Sequence, residues 1–166
     1  MEKEIIAKVV RAINGDKSAY GDLYEMYALD MYKYALSICR NHENAEDAVQ
    51  ETALSVFKSM RLLKDPSKFK SYLFSSLANC CKKKCSAEQT LELDESIYYT
   101  EEKQEDGIDV WAALAKLDPQ SREIVSLSVL SGFKSHEISN MLNIPAPTVR
   151  TKLRRALKRM GEELRV

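Results

Sequence analysis

Histidine is nearly missing from this chain, with only His42 and His136 in 166 residues. They lie far apart, and the four cysteines, Cys39, Cys80, Cys81 and Cys85, supply no second ligand pair at zinc-site spacing. No metal site is therefore expected. Glycine is scarce as well, five in all, and no Gly-rich phosphate loop occurs, so a nucleotide-dependent enzyme finds no support. No apolar run approaches the ~20 residues of a membrane span. The opening MEKEIIAKVVRAINGD mixes acids and bases where a signal peptide needs an apolar core and a small-residue cleavage site. These absences lead us to expect a cytoplasmic protein without membrane insertion of its own, without a cofactor and without an enzymatic centre. Strand-like alternation is also missing, and the expected fold is all-α.

Net charge is absent only in total. Residues 1–85 carry a net +3, residues 86–110 a net −8 and residues 111–166 a net +5. Two basic blocks thus flank an acidic one, an asymmetry that suits an anionic partner. The composition breaks at Ser86, and residues 86–108 (SAEQTLELDESIYYTEEKQEDGI) lack a sustained helical period. They form an acidic linker, either a plain tether or a segment that screens basic surface. The expected organisation is a helical domain over 1–85, the linker over 86–108 and a second helical domain over 109–166.

Cys80, Cys81 and Cys85 cluster beside Lys82, Lys83 and Lys84. Cations lower thiol pKa values, so one reading is a redox sensor. The other is a set of ordinary helix-face cysteines kept reduced in the cytosol.

Helical periodicity runs through both blocks. Ile5, Ile6, Val9, Val10 and Ile13 mark a first helix that Asn14-Gly15-Asp16 stops. Leu23, Met26, Tyr27, Met31, Tyr34, Ala35 and Ile38 form the apolar stripe of a second, over about 18–40. Asn44 suits the N-cap of a third, with Glu46 and Asp47 in its first turn, reaching about Met60. Beyond Pro66, Ser67 or a neighbour can cap a fourth helix reaching about Lys84. In the second block Val110, Trp111 and Leu114 begin a short helix. Asp118-Pro119 then pairs an N-cap with a first-position proline and opens a helix over 119–131. Gly132 suits a left-handed C-terminal cap. Ser135 is the expected cap of the next helix, and Asn143 suits a left-handed turn.

The stretch from Gly132 to Met160 has the form of a helix-turn-helix. Ile138, Met141, Leu142, Ile144, Val149, Leu153 and Leu157 can pack, while Arg150, Lys152, Arg154, Arg155, Lys158 and Arg159 can meet phosphates. Pro145 and Pro147 lie where the second helix begins and should stiffen it.

Two separated motifs resemble one family. Asn44-Ala45-Glu46-Asp47-Ala48-Val49-Gln50-Glu51 through Phe57 resembles region 2 of bacterial sigma-70-type factors. Leu117-Asp118-Pro119-Gln120-Ser121-Arg122-Glu123-Ile124, with Glu137-Ile138-Ser139 and Thr148 to Ala156, resembles region 4. Short length and a two-domain layout resemble the extracytoplasmic-function (ECF) group. Three positions depart from the family's usual pattern: Tyr72 before Leu73 where tryptophan is usual, Ser139 for alanine and Pro147 for glycine.

The resemblance implies a fold of two small helical domains and a sigma factor's role. It implies docking of Glu46, Asp47, Gln50, Glu51 and Leu54 on the β′ clamp helices of core RNA polymerase, with the β flap as a second contact. It implies capture of a melted −10 strand by Lys64, Lys68, Phe69, Lys70, Tyr72, Asn79 and Lys82, where cations track backbone and rings stack on bases. For Phe69 and Phe74, core packing is an equal alternative. Finally it implies −35 promoter DNA binding by Lys134, Ser135, Thr148, Arg150, Thr151, Lys152, Arg154 and Arg155, and an anti-sigma factor as a further partner. Arg150 is the candidate for a base contact, and the cations beyond it suit phosphates. The rival function is a stand-alone helix-turn-helix regulator that binds duplex DNA without polymerase.

Overall fold

The computed structural model describes residues 1–86 and 105–164, so most of the expected acidic linker lies outside the described residues. Eight α-helices and no strands occur among the described residues: α1 (Glu2–Ile13), α2 (Lys17–Cys39), α3 (His42–Ser59), α4 (Phe69–Ser86), α5 (Glu105–Ala115), α6 (Pro119–Val125), α7 (Ser135–Leu142) and α8 (Ala146–Leu164). Short 3₁₀ turns, Met60–Leu62 and Pro66–Lys68, join α3 to α4.

The caps explain the boundaries. Asp16 accepts from the Ala19 N–H at 3.1 Å and starts α2, while Arg40, at φ 56°, ends it in the left-handed region. The cap of α3 is Asn41 rather than Asn44: the Asn41 side chain accepts the Asn44 N–H at 2.9 Å, so the helix begins one turn earlier than expected. Asp65, not Ser67, caps the turn that leads into α4, accepting the Ser67 N–H at 3.0 Å and its hydroxyl at 2.7 Å. Asp118 and Pro119 open α6 as expected. That helix does not run unbroken to 131, because residues Ser126–Leu130 widen into a π-helical turn before Gly132, at φ 76°.

Asp118→Ala should cost about 1 kcal/mol, the ordinary worth of an N-cap. Hydrogen bonds from the Ser121 hydroxyl and N–H hold the Asp118 carboxyl below its usual range. A depressed folded value means that this stabilisation is present above the unfolded value of about 3.9 and is lost as pH falls through the folded one. Urea titrations of both chains should therefore differ at pH 7 and converge in acid; a gap that persists at pH 2 would sink this account.

One apolar core runs through both halves. Leu23, Met31, Tyr34, Phe74 and Leu77 of the first half cluster with Ile124, Leu127, Phe133, Ile138 and Val149 of the second. Each large side chain so buried contributes about 1.5–3 kcal/mol. Phe133 inserts edge-on against Phe74, ring centroids 5.3 Å apart, and Phe74 meets Tyr34 edge-on in turn. Met26, expected on the packing stripe of α2, is instead 44% exposed. A second cluster, Ala113, Leu114, Leu117, Val125, Ala156 and Met160, holds α5, α6 and α8 together.

The seam between the halves also has polar contacts. The Tyr34 hydroxyl donates to Glu123 Oε1 at 3.2 Å, and the Ser37 hydroxyl donates to Ser126 Oγ at 2.8 Å. Lys82 pairs with Glu123 at 3.5 Å. Lys70 Nζ donates to the Ser131 carbonyl at 2.5 Å and lies 4.5 Å from the centre of the Phe133 ring.

Arg122 is buried at the base of α6. Its guanidinium donates to the Leu114, Ala115 and Leu117 carbonyls at 2.7–3.0 Å, closing the C-terminal end of α5. Burial first, and the nearby Arg40 second, lower its pKa from the usual arginine range. Arg122→Ala should destabilise the second half by about 2–3 kcal/mol, since buried carbonyls lose a charged donor. Thermal unfolding read at Trp111 on α5 checks it, and a change within error would show that the carbonyls find other partners.

Candidate functional site

On α3 the buried face is Ala45, Ala48, Val49, Thr52 and Val56. The opposite face brings together Glu46, Asp47, Gln50, Glu51 and Leu54, all exposed, with Leu54 at 63%. Helical spacing puts these five on successive turns of one surface. The Tyr20 hydroxyl donates to the Ala53 carbonyl and ties this helix to α2. Glu51 receives Lys84 Nζ at 2.9 Å and the Cys80 thiol at 3.2 Å; Lys84 first, then Cys80, hold its carboxyl below the usual range. The result is an acidic and amide surface with one leucine standing out of it. Leu29, 62% exposed on α2, was not anticipated from the sequence; position 29 falls outside the regular stripe, the one signal that would have placed it outside the core.

The residues expected at a single strand divide into four groups. Lys64, Lys68 and Asn79 are exposed. Tyr72 is half-buried and its hydroxyl is joined to Ser59. Lys70 and Lys82 are the two cations that hold the seam described above. Phe69 takes its core alternative in this arrangement: it is 2% exposed and packs against Tyr27, so its faces are not open to a base. Phe74, fully buried, also takes its core alternative.

In the helix-turn-helix, α7 is capped by Lys134 rather than Ser135. The Lys134 N–H donates to Glu137 at 2.7 Å, and Ser135 is the first helical residue, half-buried. Asn143 takes the left-handed turn at φ 55°. The Ser139 hydroxyl donates to the Ile144 carbonyl at 2.5 Å, so the serine at this position fastens the turn. Helix α8 begins at Ala146 with Pro147 in its first turn, and the Val149 N–H donates to the Pro145 carbonyl at 3.0 Å. Val149 and Ala156 are buried, while Arg150, Arg154, Arg155, Lys158 and Arg159 are exposed. Thr148, Thr151 and Lys152 are half-buried, and Lys152 donates to the Gln120 side chain. The arrangement is a stiff helix whose outward face is cationic and whose inward face is held by α6 and α7.

Among the described residues no group of three or more histidines, cysteines, aspartates or glutamates is placed to hold a metal ion. No helix there is long and apolar enough to cross a membrane.

Comparison with known proteins matches this geometry in two places. Residues 23–90 match the sigma-70 region 2 family and residues 108–160 match sigma-70, region 4. The chain is 28% identical over 140 residues to RNA polymerase sigma factor SigV of Bacillus subtilis, spanning 81% of this chain and 84% of that one. It is 23% identical to ECF RNA polymerase sigma factor SigW of the same organism, over 99% of both chains. Among solved structures, CnrH, determined with the cytosolic domain of CnrY, shares the fold with a TM-score of 0.77 at 20% identity over 96% of each chain. RpoE of Bartonella quintana, determined with the anti-sigma factor NepR, does so with a TM-score of 0.74 at 23% identity over 87% of this chain and 98% of that one. The match to region 2 sets aside the stand-alone helix-turn-helix regulator, which has no use for such a domain. With both regions present in order on one all-helical chain, the protein belongs to the sigma-70 family of RNA polymerase sigma factors, in its extracytoplasmic-function group.

Proposed function

We propose that this chain acts in the cytoplasm as the promoter-reading subunit of RNA polymerase, with no reaction chemistry of its own. The observation that carries the reading is the pairing of two exposed surfaces on one chain: the acidic face of α3 and the cationic face of α8. Glu46, Asp47, Gln50, Glu51 and Leu54 dock on the β′ clamp helices, where charge complementarity sets orientation and on-rate. Region 4 contacts the β flap and lays α8 in the major groove of the −35 duplex. Thr148, Arg150 and Thr151 stand at the end of α8 that reaches base edges, and Arg154, Arg155 and Lys158 grip phosphates. Lys64, Lys68, Lys70, Tyr72, Asn79 and Lys82 track the unpaired −10 strand. Binding that strand offsets unstacking of a few kcal/mol per flipped base. Lys70 and Lys82 reach DNA only by exchanging their partners on region 4. An anti-sigma factor is a fitting further partner, given the family.

The test is capture of core polymerase by the tagged chain, followed by run-off transcription from a genomic library. Binding of core without redirected initiation, or no binding, would refute the proposal. Arg150→Ala should lose about 1–3 kcal/mol of discrimination at a single −35 position. Equal weakening across all −35 sequences would instead make Arg150 a phosphate contact.

A further inference from the structure

Three of the four thiols meet where α2 and α4 end. Cys39 closes α2, and its thiol lies within hydrogen-bonding reach of both Cys81 and Cys85, one turn apart on α4. The Cys85 sulfur lies 3.7 Å from the carbonyl of Ile38, the residue before Cys39. Cys81 is fully buried in the core, whereas Cys39 and Cys85 are each half-buried. Cys80 points the other way, to Glu51. All four cysteines are in the thiol form in this structure.

The geometry points to a modification site that the promoter-reading function does not use: a reversible disulfide between Cys39 and Cys85, formed under peroxide. Cys85 is the sulfur that meets the oxidant. It is half-buried where Cys81 is sealed in the core, and the buried Arg122 lies within electrostatic reach of it. The hydrogen bond with Cys81 above all, with burial adding to it and the bond with Cys85 opposing both, pushes the Cys39 thiol up to about 12, and Cys39 waits as the second partner. The Cys85 thiolate attacks one peroxide oxygen, the O–O bond breaks, and hydroxide leaves, giving the sulfenic acid. Cys39 sulfur then displaces the sulfenic oxygen as water, with the Cys39 proton passing to the departing hydroxyl. Two thiols are oxidised by two electrons in all and one peroxide is reduced to two waters. A dithiol reductant reverses the bond.

The bond would join the ends of α2 and α4 beside Ser37 and Lys82, two of the residues on which region 4 sits. Oxidation is thereby felt at the seam.

The test treats the reduced full-length chain with hydrogen peroxide, blocks remaining thiols with a maleimide and maps peptides by mass spectrometry. The expected result is a linked pair of peptides carrying Cys39 and Cys85, a mass about 2 Da lower than the reduced chain, and full reversal by dithiothreitol. Cys39→Ser and Cys85→Ser should each abolish the linked pair, and Cys80→Ser should leave it unchanged. The bond should form at least tenfold faster in the folded chain than in the chain unfolded in guanidinium, because the fold supplies the proximity. Equal rates in the two states, a Cys39–Cys81 pair in place of Cys39–Cys85, or conversion of Cys85 to sulfinic acid without a linked product would each overturn the proposal. None of these outcomes depends on polymerase or promoter binding.

Discussion

Phe74→Ala should destabilise the chain by about 3–5 kcal/mol, the range for removing a buried phenyl ring. Phe74 has no exposed surface and stands edge-on to two rings, Tyr34 in its own half and Phe133 in the other. Its loss therefore opens a cavity at the joint between the halves. Trp111, the single tryptophan, packs against both apolar clusters from the second half. Urea unfolding followed by Trp111 fluorescence and by far-ultraviolet circular dichroism should give one transition in the parent chain. In the variant both probes should shift to lower urea. If Trp111 kept its parental midpoint while the dichroism shifted, the halves would be independent and the shared core would not couple them. Phe74→Leu fills most of the cavity and should recover more than half of the loss, which separates packing from any general misfolding.

The second large effect lies on α8. Replacing Arg154, Arg155 and Lys158 together with alanine should lower the salt dependence of −35 duplex binding by roughly 2.7 in log–log slope, since each lost phosphate contact removes about 0.9. At 1 M salt the two chains should bind alike. At 0.1 M salt the same slope difference amounts to about 500-fold. All three side chains are exposed and their removal leaves Val149, Ala156 and Met160 in place, so the helix should persist. The measurement is a salt titration of duplex affinity for the chain bound to core polymerase. An unchanged slope would show that these cations face away from the duplex.

The helices were legible because their punctuation is chemical. Asp118 with Pro119, Gly132 and Asn143 each sit at a position that few other residues accept, and each does in the fold what its type suggests. Caps with close competitors were harder: Asn41 and Asn44 are the same residue three positions apart, and only the backbone decides between them. The π-helical turn at Ser126–Leu130 has no periodic signature, and the bond from the Phe133 N–H to the Leu127 carbonyl at 2.9 Å appears only in three dimensions. Phe69 illustrates the limit for site residues. An aromatic at helical spacing beside lysines has the same pattern whether it stacks on bases or fills a core, and burial against Tyr27 decides it in this arrangement. The seam was the least legible feature. Tyr34 with Glu123, and Ser37 with Ser126, are 89 residues apart in the chain, and nothing local marks either pair.

Lys70 makes that seam a competitor. Its ammonium is already seated on a carbonyl and over a ring, so a phosphate that needs it must displace an internal ligand. The chain thus carries an occupant for its own cation site, tethered at fixed effective concentration. Any external anion binds with an intrinsic constant divided by the fraction of molecules in which the tethered occupant has left. Each 1.4 kcal/mol by which the joined form is preferred weakens that apparent affinity tenfold. A substitution at Phe133, whose ring lies under the Lys70 ammonium, would then tune DNA affinity through vacancy.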